Sequence, residues 1–351
     1  MTISGRVAAG HQTDLSVPHS ANSSTLANPQ QLGGSTTGPT TLSGNGVIRK
    51  GTGLVLMDTT LRLSAVEDLG GGLRANFVFA MEGSREFRGA AFTRADSGIG
   101  LSGGFGEIGY LNTRSSDAMA SVASPAINLP DGLYDSTGIL GRGAIDTLNY
   151  RTPELAKGLR VTVSYVENND GAMNPPGTYT APNYVATSAK TYVVGASYTA
   201  GPLSLTVTHK TKPTNTTASN GTTPKANTEL FARYDLGVAA IAVGYDGAER
   251  SGTATNPSSA GTFASAANSA AVTQNFTKAA TGLSITVPMG AFSLGAQTFK
   301  RGTAKVTDFG ALYSLSKRTS INASVGKKSG LADDNNGHFG TQHRVAVIHT
   351  F

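Results

Sequence analysis

The chain contains neither cysteine nor tryptophan among its 351 residues. Without cysteine there are no disulfides, thiol nucleophiles or thiolate metal sites, which suits an envelope protein exposed to oxidants. Charged residues make up 14%, low against the roughly one quarter usual in soluble domains. Low charge and modest proline also argue against a disordered chain. No run reaches the ~18 apolar residues of a membrane-spanning helix. Lys+Arg 28 against Asp+Glu 22 gives a net +6, spread without a basic run, so no nucleic-acid partner is expected. The opening MTISGRVAAG lacks the pattern of a signal peptide. The expectation is a mature chain carrying an initiator Met.

What the sequence does have is glycine, 44 residues of it, and a persistent period of two. Apolar residues alternate with small polar ones, which sends them to opposite faces of a strand. Ile3, Gly5, Val7 and Ala9 share one face, with Ser4 and Arg6 on the other. Val55, Met57, Leu61 and Leu63 oppose Asp58, Thr60, Arg62 and Ser64. Leu73, Ala75, Phe77, Phe79 and Met81 alternate with Arg74 and Asn76. The same pattern recurs from Leu159 to Tyr165, from Tyr192 to Val207, from Leu230 to Tyr245, and from Leu283 to Val347. Turns such as Gly103-Gly104, Gly201-Pro202 and Pro288-Met289-Gly290 separate strands on one side, and long Ser/Thr/Asn-rich loops separate them on the other.

This pattern predicts sixteen strands, no helices, and short connections alternating with long ones. Aromatics gather at strand ends: Tyr192, Tyr198, Tyr234, Tyr245, Tyr313 and Phe351. An even strand number with an apolar face and terminal aromatics fits a closed transmembrane barrel, since lipid cannot satisfy an open sheet edge. The predicted fold class is all-β, a 16-stranded antiparallel transmembrane β-barrel forming one domain over residues 1–351. Residues 112–143 interrupt the rhythm with neither alternation nor a sustained helical period. So long an irregular stretch in a compact domain is usually functional or disordered, and it is expected to fold into the space the wall encloses.

The motifs Glu67-Asp68-Leu69-Gly70-Gly71-Gly72-Leu73-Arg74-Ala75, Leu101-Ser102-Gly103-Gly104-Phe105-Gly106-Glu107, Tyr150-Arg151-Thr152-Pro153 and Tyr313-Ser314-Leu315-Ser316-Lys317-Arg318-Thr319 follow one another in order, ending at Phe351. In these the chain resembles Gram-negative general porins, especially those of betaproteobacteria. The resemblance implies a homotrimer in the outer membrane, in contact with lipid and lipopolysaccharide and inserted by the barrel-assembly machinery, with Phe351 as the assembly signal. It also makes 112–143 a constriction loop whose acids face a basic wall. The loop acids are Asp117, Asp131 and Asp135, and the wall candidates are Arg62, Arg74, Arg94 and Arg142. Parity of the strands independently sends Arg6, Arg62, Arg74 and Arg160 to the face opposite the apolar residues.

Enzyme motifs fail on context. Gly100-Leu101-Ser102-Gly103-Gly104 fits G-x-S-x-G, but a nucleophile elbow needs a helix after the serine and a strand follows here. Gly98 to Gly103 fits G-x-G-x-x-G and again lacks the helix N-terminus that would hold a pyrophosphate. His338 and His343 are not spaced as a tight ligand pair, and Asp333-Asp334 lacks the other ligands of a calcium loop. The expectation is therefore no enzyme, no cofactor and no metal. The expected function is a channel for passive diffusion of small hydrophilic solutes and ions with a weak preference for anions. A channel selective for one small solute and a surface-loop adhesin are the alternatives.

Overall fold

The computed structural model describes residues 1–13, 16–18, 47–49, 53–82, 93–114, 117–127, 139, 144–168, 189–214, 222–253, 274–330 and 340–351. The strands in chain order begin with β1 (Thr2–Gln12), β2 (Ser16–Pro18), β3 (Val47–Arg49), β4 (Gly53–Gly70), β5 (Leu73–Glu82), β6 (Thr93–Gly103) and β7 (Gly106–Arg114). Helix α1 (Ala118–Val122) precedes β8 (Ala144–Arg151), β9 (Leu159–Asn168), β10 (Ala189–Ala200), β11 (Leu203–Lys210), β12 (Thr222–Pro224) and β13 (Asn227–Asp235). Then come β14 (Ala240–Asp246), β15 (Arg250–Gly252), β16 (Ala280–Met289), β17 (Phe292–Arg301), β18 (Ala304–Ser314), β19 (Thr319–Ser329) and β20 (Gly340–Thr350).

Sixteen of these strands close into one antiparallel barrel, with β1 paired to β20 on one side and β4 on the other. The remaining four form two small sheets within loops, β2 with β3 and β12 with β15. Closure leaves no unpaired sheet edge. At the seam, Phe351 N–H donates to Gly5 O at 3.1 Å and Gly5 N–H donates to Phe351 O at 3.0 Å. Gly5 is required there, because a Cβ on it would stand 2.3 Å from the Phe351 ring.

The alternation read from the sequence becomes an outside and an inside. Leu283, Leu294, Phe309, Val345 and Val347 are exposed on the outer face. Ser284, Gln297, Asp308, Gln342 and Arg344, an odd number of positions from these in each strand, are buried on the inner one. Outer aromatics form two belts. Tyr198, Tyr234 and the Phe292–Tyr313 pair, with ring centroids 4.4 Å apart, lie toward the tight turns. Tyr245 and the Tyr165–Tyr192 pair, 5.6 Å apart, lie toward the loops. The turns have local causes. In the first, Asp68 Oδ1 accepts from Gly70 N–H at 2.9 Å, and Gly70, Gly71 and Gly72 all take positive φ.

The structure corrects the reading in three places. Met57 was expected on the outer face with Leu61 and Leu63. A β-bulge opposite Ala8 and Ala9 inserts it as an extra residue, and Met57 is buried against Ala8, Ala346 and Ile348. Helices were not expected, yet α1 forms inside the irregular stretch. Third, the alternation of short and long connections breaks at β17–β18, whose loop-side connection is only Gly302-Thr303. Asn275 occupies the room left there: its Oδ1 accepts from Thr303 N–H at 3.1 Å.

Candidate functional site

Beyond β7, the described residues of the long stretch, 117–127 and Ile139, lie against the inner wall. Asp117 starts α1 by accepting the Met119 N–H at 2.7 Å, satisfying one of the unpaired donors at a helix start. Ala118, Met119 and Ala120 favour the helix; the backbone leaves it at Ala123, and Pro125 keeps Ser124 from resuming it. Five residues do not make a stable helix alone; packing holds this one. Met119 and Val122 are fully buried with Phe299, Val306, Ala280 and Ile139. Ser124 N–H donates to Gln297 Oε1 at 2.8 Å, Ser124 Oγ and Thr286 Oγ1 are 2.7 Å apart, and Asn322 Nδ2 donates to Ala126 O at 2.7 Å. Ser284 Oγ donates to Val122 O.

The wall beneath is stripped of side chains to admit this segment. Gly244 and Gly282 face each other across β14 and β16, and Gly295 and Gly310 across β17 and β18. A Cβ at Gly244 would come within 2.6 Å of Val122, and one at Gly295 within 2.5 Å of Ser124 Oγ.

Beside α1 the wall carries a buried set of charges. Glu229 on β13 and Asp246 on β14 are register partners. Lys210 pairs with Glu229, and Arg301 pairs with Asp246. Arg301 also lies 3.2 Å from Glu249, stacks 4.6 Å over the Phe276 ring and donates from Nε to Ile139 O at 2.8 Å. The Glu249 carboxyl, outside the barrel strands, is pushed up to about 8, first by burial, with Asp246 adding to the rise and Arg301 opposing it. A second inner group joins Gln297 Nε2 to Asp308 Oδ2 at 2.8 Å, in the field of Lys328 and Arg344.

Of the residues named from sequence, Asp117 is buried at the helix start. Arg62 is inward on β4 between Ser4 and Ala80, and its side chain is exposed to the lumen. In the closed order β4 and β13 are eight strands apart in either direction, so Arg62 stands on the wall opposite α1. Arg74 is also inward but sits by the first tight turn, opposite Asp68. Arg94 lies in β6 with its backbone opposite Met81, beyond a bulge. Asp131, Asp135, Arg142, His19, His338 and Asp333-Asp334 fall outside the described residues. Arg6 is inward as expected and pairs with Asp58 at 3.5 Å; Arg160 pairs with Glu154 at 3.9 Å. Lys210, Glu229, Asp246 and Arg301 were not singled out, although continuing the alternation past each apolar run places all four inside.

Outward apolar surface between two aromatic belts, an inner polar face and full closure define a transmembrane β-barrel. Among the described residues no helix is long and apolar enough to cross a membrane. The chain matches the Gram-negative porin family over residues 1–333 and belongs to it. No curated protein matches the sequence. Solved structures of engineered variants of the Rhodopseudomonas blastica porin have the same fold. One superposes with a TM-score of 0.60 at 11% identity, covering 100% of this chain and 99% of that one. Another gives 0.58 at 13% identity with the same coverage. A further match, described as "Asymmetric conductivity of engineered proteins", gives 0.57 at 12% identity, again over 100% and 99% of the two chains.

The two faces should respond differently to the same substitution. Val345→Arg, mid-strand on the outer face, is expected to cost about 2–4 kcal/mol. Thr206→Arg on the inner face of β11 should cost little. Unfolding by urea in the presence of lipid vesicles measures both.

Proposed function

We propose that the chain forms a water-filled channel through which small hydrophilic solutes and ions diffuse passively, and that residues 112–143 are its constriction. The observation that carries this reading is the segment 117–127 bonded along the inner wall of a closed barrel, with Arg62 on the wall across from it. A sixteen-stranded barrel leaves an aqueous lumen unless something fills part of it. Charges at the narrowing would bias ion passage through a local field that salt screens. The net +6 supports a weak anion preference. Against a strong one, many inner charges are neutralised within the wall, as in Arg6–Asp58, Lys210–Glu229 and Arg301–Asp246. That pairing favours a second reading, a channel adapted to a particular neutral or weakly charged solute.

Membership of the family supports assembly as a homotrimer in the outer membrane, amid lipid and lipopolysaccharide, after insertion guided by Phe351. The five ordered motifs support placing the chain with the betaproteobacterial members. No catalytic role is proposed for any residue.

Liposome swelling with neutral sugars of graded size tests the reading. Uptake that falls smoothly with size supports a general channel, uptake of one sugar alone supports the selective one, and no uptake rejects both. Asp131 and Asp135 are proposed to point into the narrowing. Asp131→Asn with Asp135→Asn should shift the reversal potential toward anions under a salt gradient; an unchanged potential removes both residues from the constriction.

A further inference from the structure

The irregular stretch meets the inner wall at two described places, the entering limb 117–127 and Ile139, and the two are held by different means. The entering limb, residues 117–127, has bonds of its own to Ser284, Gln297 and Asn322. Ile139 is held through its carbonyl, which accepts from Arg301 Nε at 2.8 Å. Arg301 has no exposed surface and is the largest of the fully buried side chains. The rest of its guanidinium is committed as well. Nη2 faces Asp246 and Glu249, Nη1 lies 3.4 Å from Lys278 O, and the ring of Phe276 covers its face. One planar group thus joins the wall, Ile139 and the segment that follows β14. Only a guanidinium offers enough donors in a fixed fork for this arrangement.

We infer that Arg301 is the positioning residue for Ile139, holding that point of the pore loop against the inner wall. This rests on the channel reading above. Asp246 and Glu249 orient the guanidinium, and Phe276 shields it from water. Without Arg301 the entering limb keeps its own bonds while Ile139 is released.

The absence of native cysteine provides the test. Ile139→Cys reports on the point held by Arg301 and Met119→Cys on the entering limb, both from fully buried positions. Each is placed in the native background and in Arg301→Met/Asp246→Asn, which removes Arg301 together with the buried carboxylate it pairs with most closely. Reaction with a water-soluble thiol reagent is followed by mass spectrometry on protein that retains its strand circular dichroism. The rate at Ile139→Cys is expected to rise about tenfold or more, as loss of charge-assisted bonds should permit local opening. The rate at Met119→Cys should stay low. If Ile139→Cys remains protected, or both positions open together, the inference is overturned. Arg301→Lys, which keeps the charge but cannot fork to Ile139 as well, is the second background with the same expectation should the double variant not fold. The thiol rates do not depend on conduction. An absence of ion current through the native protein would count against the channel reading and leave the inference about Arg301 to be decided by the rates.

Discussion

Replacing residues 115–143 with a short Gly/Ser linker is expected to raise single-channel conductance by about twofold or more, because the bare barrel is wider than its constriction. The linker is geometrically simple, since Arg114 and Ala144 are already paired across β7 and β8. Closure of the barrel depends on strand pairs that the segment does not enter, so the barrel should persist. Its stability should fall, because Phe299 and Val306 are buried on the inner face under this segment. Exposing them to a wet lumen costs about 1.5–3 kcal/mol for each large side chain. Planar-bilayer recording reads the first effect and urea unfolding the second. Unchanged conductance would mean that the segment does not narrow the passage.

The second large effect concerns Lys210. Glu229 and Asp246 face each other across β13 and β14, and like charges directly opposite destabilise a sheet. Lys210 compensates the first and Arg301 the second. Lys210→Met should therefore cost about 3–5 kcal/mol, the usual penalty for leaving one buried charge without its partner. Lys210→Met with Glu229→Gln should recover most of that loss, because a neutral pair needs no compensation. Denaturant midpoints of the two variants decide it. Equal losses in both would show that the lysine acts through packing rather than charge.

The wall was legible in the sequence because each strand carries its own two-residue period. Leu283, Leu294, Phe309 and Val345 needed only their neighbours to be placed outside. The bulge at Met57 was not legible, since an extra residue reverses parity without altering composition. The seat of the pore segment was half legible. Gly244, Gly282, Gly295 and Gly310 all fall on the inner face by alternation, as does Phe299, an aromatic among polar neighbours. That they adjoin one another is a fact of register between strands, which the alternation within a single strand does not record. The helix at Ala118 was missed for a related reason. A single turn has too little length for a period, and its stability comes from contacts with β13, β14 and β16. The charge set around Arg301 gathers residues from 139 to 301 and could be assembled only by the closed barrel.

The most direct test of the account is the single-channel current of the unmodified chain in a planar lipid bilayer as salt concentration is varied. The account predicts discrete ohmic steps whose conductance grows nearly in proportion to salt, as ions move through water in a fixed opening. Conductance that saturates at low salt would instead indicate a binding site controlling passage, and a bilayer that stays silent with folded protein inserted would contradict the account.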